Sequence, residues 1–350
     1  MSDSVRRAVT RYAETYPELE VLTGEWVARV TAMLDEAGIN YLTVSGRAKA
    51  VASFSAKAAR RLDGELVYDD PLVDITDQVG VRVITYVASD VVAVAELLAD
   101  QLTVLDDRDL GLETAGEGRF GYASRHVLVT RDTGEGVSYD RTRCASVQLR
   151  TVLQHAWAEF EHDIRYKGSV PEQLVADLDR RFTLAAGLIE LADKEFSAIR
   201  DRLQLQLGSQ PAEAVTDDPR IGASELTAFL AGRYSTAGWS RTDRYAWIGG
   251  LLLELGITSL DELSELLQGI DSDDVTAQMG YRYPPGAVRR LDDDLLHHFG
   301  RLYLDLPGNA HRRDALSARM AKLTTPRRPR PDPFAPRPSP HPPQVSRVTR

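Results

Sequence analysis

The chain has 350 residues, of which 43% are hydrophobic and 27% are charged, a composition typical of a soluble globular protein with a core of ordinary size. Its formal net charge of −10 argues against broad, non-specific binding to nucleic acids and leaves room only for a local basic site. Cys144 is the single cysteine, so a disulfide framework is excluded and a reducing cytoplasm is the expected compartment.

The N-terminal 20 residues lack the apolar segment of an export signal, and no run approaches the ~18 apolar residues of a spanning helix. We therefore expect no membrane partner. Apolar residues then recur at helical spacing from residue 4 to 37, where Pro17 is expected to break the run into two helices and Gly38 to close it.

The next segments predict alternating strands and helices. In chain order they are a short strand, a basic helix, a buried strand and a helix capped by its first residue: Tyr41–Val44, Ala48–Leu62, Val79–Val87 and Asp90–Leu102. This alternation predicts an α/β or α+β domain.

Lysines are rare in this chain, with five against 37 arginines, and two of them fall in the basic helix. Lys49 and Lys57 are eight residues apart and would share one face of a helix over Ala48–Leu62. A solvated basic face would give the same pattern. The opposite face is mostly alanine, however, which indicates a packed helix with its cations gathered near Asp77. Cations that face a lone carboxylate at a strand end suit a metal-bound nucleoside triphosphate.

The middle of the chain begins with a polar segment, Asp106–Gly118, that predicts a mobile surface loop. The regular elements expected after it are two strands, one helix and two long helical segments: Arg125–Arg131, Cys144–Thr151, Val152–Tyr166 and, for the two segments, Pro171–Leu207.

Four parts are predicted along the chain: a domain with flanking helices over 1–207, a linker over 208–222, a helical C-terminal domain over 223–323 and a tail over 324–350. Within the helical domain two helices are expected to meet at Gly256, with Thr258 or Ser259 capping the second. The tail, in which nine prolines and six arginines alternate with small residues, is predicted to be disordered.

Five short motifs occur in a fixed order between Tyr41 and Lys167. They are R-x-K-x3-S-x3-K from Arg47, D-x2-G-x-R from Asp77, G-Y-x-S-x-H from Gly121, Q-x-R-T from Gln148, and W-A-x2-E-H from Trp157 with Tyr166-Lys167 after it. Together they resemble the RelA/SpoT synthetase family over about the first 200 residues. The paired His and Asp motifs of the family's hydrolase domain are absent, so the chain resembles a small, synthetase-only member.

The resemblance implies an α+β fold, with a mixed nucleotidyltransferase-like sheet flanked by helices, to which an all-α C-terminal module is added. It also implies an activity, the transfer of pyrophosphate from ATP to the 3′-hydroxyl of GDP or GTP, which makes the alarmones ppGpp and pppGpp. For ATP, the resemblance implies that Arg47 lies against the adenine. The phosphates would be contacted by Lys49, Ser53, Lys57 and one of two arginines, Arg60 or Arg61.

The resemblance implies that Asp77 holds Mg²⁺ and that Arg82 steadies the same site. It implies that Tyr122 stacks on the acceptor base, and three further residues would contact the acceptor's phosphates or ribose: His126, Gln148 and His155. Tyr122 could equally be a core aromatic residue, and His155 a core imidazole. Three apolar residues near His155 are expected in the core: Trp157, Phe160 and Ile164.

One departure from the family pattern concerns catalysis. The family has a glutamate two residues before Gln148, where it supports the metal and acts as general base, and this chain has Ser146. Loss of a positioned base costs about 100- to 10,000-fold in rate, which Glu159 or Glu161 on the following helix could offset. The acceptor segment, Asp106–Gly118, is also longer and more acidic than a guanosine-binding segment suggests, with Arg119 in place of the usual lysine.

Three hypotheses follow. The first is alarmone synthesis from ATP and GDP or GTP. The second is pyrophosphate transfer to another 3′-hydroxyl, such as the 3′-terminal adenosine of tRNA, as in toxic members of the family that act with a neutralising partner. The third is a non-catalytic protein that binds a nucleotide or a partner, because Ser146 replaces the base. The helical domain could bind a protein partner or close a homo-oligomer.

Overall fold

The computed structural model describes residues 2–116, 124–134, 136–167, 171–207, 220–238 and 240–324. The elements of the first part are, in chain order, α1 (Asp3–Ala37), β1 (Thr43–Ala48), α2 (Val51–Ala58), β2 (Arg61–Leu62), β3 (Glu65–Leu66), α3 (Pro71–Asp74), β4 (Val79–Thr85), α4 (Ala88–Gln101), β5 (Thr103–Asp109), α5 (Leu110–Gly116), β6 (Arg125–Thr130), β7 (Cys144–Thr151), α6 (Val152–Lys167) and α7 (Glu172–Leu207).

Every regular element described in the C-terminal part is a helix. Its elements are α8 (Ala223–Arg233), α9 (Thr242–Glu254), α10 (Leu260–Gln268), α11 (Ser272–Met279), α12 (Ala287–Phe299), α13 (Arg301–Leu304), a 3₁₀ helix (Pro307–Arg312) and α14 (Arg313–Thr324). Ser259 caps α10 as expected, and Glu262 closes the capping box.

Five strands form one mixed sheet in the order β1-β4-β7-β6-β5. The central pair, β4 and β7, is parallel, whereas the other three pairs are antiparallel. Strands β2 and β3 form a separate hairpin. The prediction of an α+β fold, with a mixed sheet, flanking helices and a helical C-terminal region, is confirmed.

The two faces of the sheet differ in polarity because successive strand residues point to opposite sides. One face is apolar and packs with α1 and α4 into the main core; its central strands contribute Val79, Val81, Val83, Val127, Val129, Val147 and Leu149. The strand residues that alternate with this apolar set point to the other side of the sheet. Several of them are polar and partly exposed, among them Arg82, His126 and Gln148. We call this second side the polar face.

Helix α1 is one continuous helix of 35 residues, so the prediction that Pro17 breaks it was wrong. Proline removes one hydrogen bond to the carbonyl four residues earlier, here that of Ala13. Both residues are exposed on the helix surface, where water can satisfy that carbonyl. Tyr12, Leu19 and Trp26 on the opposite side are buried in the core, so packing holds the helix together across the proline.

Three further local predictions were wrong. The basic helix starts at Val51, because β1 runs on to Ala48 through its pairing with β4. The segment expected to be a loop from Asp106 continues as the end of β5 and then α5. Asp90 lies in the first turn of α4 without capping it, and its carboxylate instead accepts a hydrogen bond from Arg200 of α7, at 2.9 Å.

Helices α6 and α7 pack against each other through a small apolar cluster that includes Trp157 and Phe182. Residues 172–207 form one helix, whereas two segments were expected. Trp157 is buried as expected, but Phe160 is 61% exposed and Ile164 is 37% exposed, so their assignment to the core was wrong. Both belong to a helix that packs on the rest of the chain through only part of its circumference, a property that apolar spacing does not reveal.

A second hydrophobic core lies among α8 to α14, with α12 at its centre. A cluster of buried charges joins this core to α1: Glu36 near the end of α1 contacts Arg289 at 2.9 Å and Arg319 at 3.2 Å. We call the six residues Glu36, Arg289, Asp292, Asp293, Arg312 and Arg319 the buried ionic cluster. The C-terminal helices therefore dock on α1 through paired charges.

Candidate functional site

Asp77 lies in the loop before β4, at one end of the polar face, and two lysines from different elements converge on it. Nζ of Lys49 is 2.8 Å from one carboxylate oxygen, and Nζ of Lys57 is 3.1 Å from the other. Lys49 follows β1, whereas Lys57 lies in the last turn of α2. The sequence predicted that both lysines lie on one helix. They come instead from different elements, and they meet at the carboxylate of Asp77.

The backbone on both sides of this carboxylate is fixed by buried hydrogen bonds. The side-chain amide of Gln78, which is fully buried, donates to the carbonyls of Leu72 and Ile75, at 2.7 and 2.9 Å. The backbone N–H of Lys49 donates to the Gln78 carbonyl. These bonds hold the loop that presents Asp77 against the end of β1.

Tyr12 of α1 supports the same corner from below. Its hydroxyl donates to the Lys49 carbonyl at 2.6 Å, and its ring stacks on Phe54 of α2 with ring centroids 3.9 Å apart. Sequence reasoning missed Tyr12 and Gln78. The only available signal was a tyrosine on the apolar side of α1, which does not reveal a partner 37 residues away.

Burial of Asp77 opposes its ionisation, but the hydrogen bond and charge of Lys49, together with Lys57, outweigh this effect and lower the pKa of Asp77 below its ordinary value. The carboxylate is therefore ionised at neutral pH, and its side chain is still 33% exposed. A metal ion and phosphates can reach it from solvent.

The other predicted ATP-binding residues differ in how closely the structure links them to this carboxylate. Arg47 is exposed on β1, paired in register with Gly80 of β4. Ser53 is exposed one helical turn before Lys57, and Arg60 is exposed just after α2. Arg61 donates to the Gly64 carbonyl in the β2–β3 hairpin, at 2.6 Å. Arg60 and Arg61 are the two alternatives for one phosphate contact, and Arg61 already donates a hydrogen bond within its own hairpin.

Arg82, Gln148 and His126 form a row across the middle of the polar face. The strand register pairs Arg82 with Gln148 and Gln148 with His126. The predicted metal-site arginine and two predicted acceptor contacts are thus direct neighbours on three adjacent strands. Burial, followed by the charge of Arg108, lowers the pKa of His126, which favours its neutral form. Arg108 stands opposite His126 on β5 and forms a bidentate pair with Glu113 of α5.

Helix α6 brings further side chains to this row, because it follows β7 directly. Arg82 donates to Oε1 of Glu159 at 2.8 Å, and Nδ1 of His155 lies 3.6 Å from the same oxygen. Burial and the charge of Arg82 lower the pKa of His155. His155 therefore stands beside Arg82, as expected for a site residue.

Arg150 of the Q-x-R-T motif is buried below the row. It donates to the hydroxyl of Ser124 at 3.2 Å and to the side-chain carbonyl of Gln148 at 3.4 Å, so it fixes the orientation of the glutamine. Burial and the charge of Arg82 lower the pKa of Arg150 to about 10.

Ser146 lies on β7 between Gly80 of β4 and Leu128 of β6, two residues before Gln148 on the same face. The position is part of the polar face, but it carries a hydroxyl where the family pattern has a carboxylate. Three residues on the acceptor side of the predicted site and its motif lie outside the described residues: Arg119, Gly121 and Tyr122.

Within the described residues no group of three or more His, Cys, Asp or Glu side chains could hold a metal ion. Asp77 still fits Mg²⁺, because this ion is usually bound through one or two carboxylates together with substrate phosphates and water. The described part of the chain also contains no helix long and apolar enough to cross a membrane.

One family model and several known proteins are similar to this chain. The family model described as a region found in RelA / SpoT proteins matches residues 46–170. A curated relative, GTP pyrophosphokinase YjbM of Bacillus subtilis (strain 168), is 33% identical over 168 residues, which are 46% of this chain and 72% of that protein.

Solved structures are also similar to part of this chain. The protein smu.1046c of Streptococcus mutans UA159 is 26% identical, the match covers 55% of this chain and 96% of that one, and the TM-score is 0.43. The small alarmone synthetase 1 of Bacillus subtilis is 26% identical, the match covers 58% of this chain and 99% of that one, and the TM-score is 0.40.

Proposed function

This chain belongs to the RelA/SpoT family, and on that premise we propose that it transfers the pyrophosphoryl group of ATP to the 3′-hydroxyl of GDP or GTP, making (p)ppGpp. The observation that carries the proposal is the single ionised carboxylate, Asp77, held between Lys49 and Lys57 at the end of a polar sheet face. The relative that shares a third of its aligned residues with this chain is a GTP pyrophosphokinase.

In this proposal Asp77 would hold Mg²⁺, which would supply positive charge to offset the negative charge that develops on the phosphate oxygens of ATP. Lys49 and Lys57 move from the carboxylate to the phosphates, and their side chains are 16% and 28% exposed for this exchange. Arg47, exposed on the neighbouring strand, stacks on adenine as a planar cation.

The acceptor lies along the row of His126, Gln148 and Arg82. Gln148, oriented by Arg150, binds the ribose, and Arg82 contacts the phosphoryl group in transfer. His126, whose pKa is lowered, binds as a neutral ring. His155 stands at the α6 side of the row. The family resemblance assigns the acceptor base to Tyr122, which lies outside the described residues.

A thin-layer assay with ATP labelled at its β- or γ-phosphate tests this function directly. Purified full-length protein is incubated with Mg²⁺ and with GDP, GTP or bulk tRNA. We expect label in a product that migrates as ppGpp or pppGpp. Label on tRNA alone would contradict the assigned acceptor.

Ser146 favours a second candidate, a protein that binds ATP without transferring its pyrophosphate. The same assay separates the two candidates when ATP binding is measured in parallel by calorimetry. Binding of ATP with no labelled product from any of the three acceptors would support the second candidate and contradict the first.

A further inference from the structure

Position 146 of the polar face carries no carboxylate. Apart from Asp106, which is exposed on the outer strand β5 opposite Leu128, three carboxylates of the described residues lie on or beside this face. Asp77 is engaged by Lys49 and Lys57. Glu113 is held by Arg108 through both of its oxygens. The third is Glu159, which reaches the middle of the face from α6.

Glu159 is placed by the direct continuation of β7 into α6. Its Oε1 lies 2.8 Å from Nη1 of Arg82, and Arg82 is paired in register with Gln148, two residues from Ser146 on the same strand face. The carboxylate thus reaches the polar face from α6 at Arg82, whose strand partner Gln148 is two residues along β7 from the serine that stands where the family has glutamate.

Glu159 is also accessible to a substrate. Its side chain is 53% exposed, and that of Arg82 is 25% exposed. Oε1 of Glu159 contacts both Arg82 and, at 3.6 Å, Nδ1 of His155. When a triphosphate is bound, phosphate oxygens compete for Arg82, which leaves the Glu159 carboxylate available to another donor.

Glu161, the other glutamate of this helix segment, differs from Glu159 in direction. Two residues along an α-helix correspond to a rotation of about 200°, so the two side chains leave α6 on opposite sides. The contact with Arg82 therefore selects Glu159 as the carboxylate on the polar face.

We propose that Glu159 supplies the carboxylate that Ser146 lacks and acts as the base for the acceptor hydroxyl. This inference rests on the proposed function. The carboxylate takes the proton of the 3′-hydroxyl while that oxygen forms a bond to the β-phosphorus of ATP. The bond from the β-phosphorus to the oxygen shared with the α-phosphorus breaks, and AMP leaves with its electron pair. Glu159 then releases the proton to solvent.

The test compares Glu159→Gln, Glu159→Asp and the double variant Ser146→Glu/Glu159→Gln in the full-length protein. The glutamine keeps an oxygen that can accept from Arg82 and loses only the charge and the basicity. We expect kcat to fall at least about 100-fold, whereas the KM for ATP changes less than about threefold. We expect aspartate to restore part of the lost rate and the double variant to regain at least about tenfold over Glu159→Gln.

Glu195→Gln is the matched control, because Glu195 is an exposed glutamate of α7 remote in sequence from the polar face. Its kcat should equal that of the wild type. The rescue by Ser146→Glu separates a catalytic from a purely positioning role, since a new carboxylate on β7 has no reason to restore a lost contact between Arg82 and α6.

Two results would overturn the inference while leaving the proposed function intact: a Glu159→Gln variant that keeps more than a third of the wild-type kcat, or a double variant that regains nothing. A wild-type protein that binds ATP but labels no acceptor would overturn the proposed function and this inference together.

Discussion

Two groups of opposite charges in this chain differ in how closed they are. The polar-face group contains three cations and two carboxylates, Lys49, Lys57, Arg82, Asp77 and Glu159, and its side chains are between 16% and 53% exposed. The buried ionic cluster contains three arginines and three carboxylates, and apart from Glu36 its side chains are at most 9% exposed.

The difference indicates what each group does. Charges withdrawn from water need partners of equal and opposite charge, and the buried ionic cluster is balanced within itself. Burial opposes ionisation of Asp292, but Arg312 and Arg319 outweigh it and hold its pKa well below its ordinary value. The polar-face group has one cation in excess and contacts solvent, so it can exchange its internal pairs for phosphate oxygens. The first group suits ligand binding, and the second fixes α12 and α14 to α1.

The largest expected effect is the loss of transfer when the polar-face group loses Asp77. Asp77→Ala should lower the rate of pyrophosphate transfer about 1,000-fold, because it removes the only carboxylate assigned to the metal. The free energy of unfolding should change by less than about 1 kcal/mol, since the pairs are partly exposed. Labelled-product assays and thermal unfolding measure the two effects.

Asp69→Ala is the control for this substitution. Asp69 is an exposed carboxylate just before α3, eight residues before Asp77, and its removal should leave the transfer rate unchanged. Equal activity of Asp77→Ala and wild type would contradict both the metal site and the proposed function.

The reverse outcome is expected in the buried ionic cluster. Asp292→Ala leaves Arg312 and Arg319 without a carboxylate that lies 2.5 and 2.7 Å from them. Removing one partner of a buried ion pair costs about 3–5 kcal/mol, so chemical denaturation should show a loss of that size. Asp305→Ala is the matched control: it breaks a pair with Arg313 in the same group of helices, but the two side chains are 65% and 52% exposed and the loss should cost less than about 1 kcal/mol.

The two groups also differ in how far the sequence predicts them. The polar-face group was predicted in large part, because its residues fall in short motifs with fixed spacing that resemble a known family. The buried ionic cluster was not predicted, since its members come from residues 36 to 319 and only the fold brings them together. The contact of Glu159 with Arg82 joins residues 77 positions apart, so the sequence could not decide between Glu159 and Glu161 for the same reason.

Errors in the local predictions have a common physical cause, which is that tertiary surroundings decide between alternatives that look equal in sequence. Pairing with β4 extends β1 through Ala48 and shortens the helix that was expected there. Solvent at Pro17 allows α1 to continue. Phe160 and Ile164 have the spacing of core residues, yet the packing of α6 leaves them exposed.

Asp193 of α7 provides an intermediate case, a carboxylate that is only 4% exposed and accepts from the hydroxyl of Thr151 at the end of β7. Burial, only partly offset by that hydrogen bond, raises its pKa to about 6. Because the pKa is higher in the folded state, this group contributes most stability below pH ~4 and loses it as pH rises through 6. Asp193→Asn should therefore raise the free energy of unfolding by about 1–2 kcal/mol at pH 7.5 and have little effect at pH 4.

Asp90→Asn is the informative contrast for this prediction. Burial also raises the pKa of Asp90 to about 6, but Asp90 is paired with Arg200. The raised pKa of Asp90 has the same sign as that of Asp193, so Asp90→Asn should also raise the free energy of unfolding at pH 7.5, but by less, because the substitution removes the charge that faces Arg200. Equal stabilisation by the two asparagine variants would show that the ion pair with Arg200 contributes nothing to this difference.

The smallest expected effect concerns the support of the polar-face group from α1. Tyr12→Phe keeps the ring that stacks on Phe54 and removes only the hydroxyl that donates to the Lys49 carbonyl. The loss of one partly buried hydrogen bond should cost about 1 kcal/mol of unfolding free energy. Because that bond fixes the backbone of Lys49, we also expect the KM for ATP to rise a few-fold with little change in kcat. Tyr16→Phe removes a hydroxyl from the neighbouring ring of the same helix and should change neither quantity, so equal KM values for the two variants would show that the Tyr12 hydroxyl does not position Lys49.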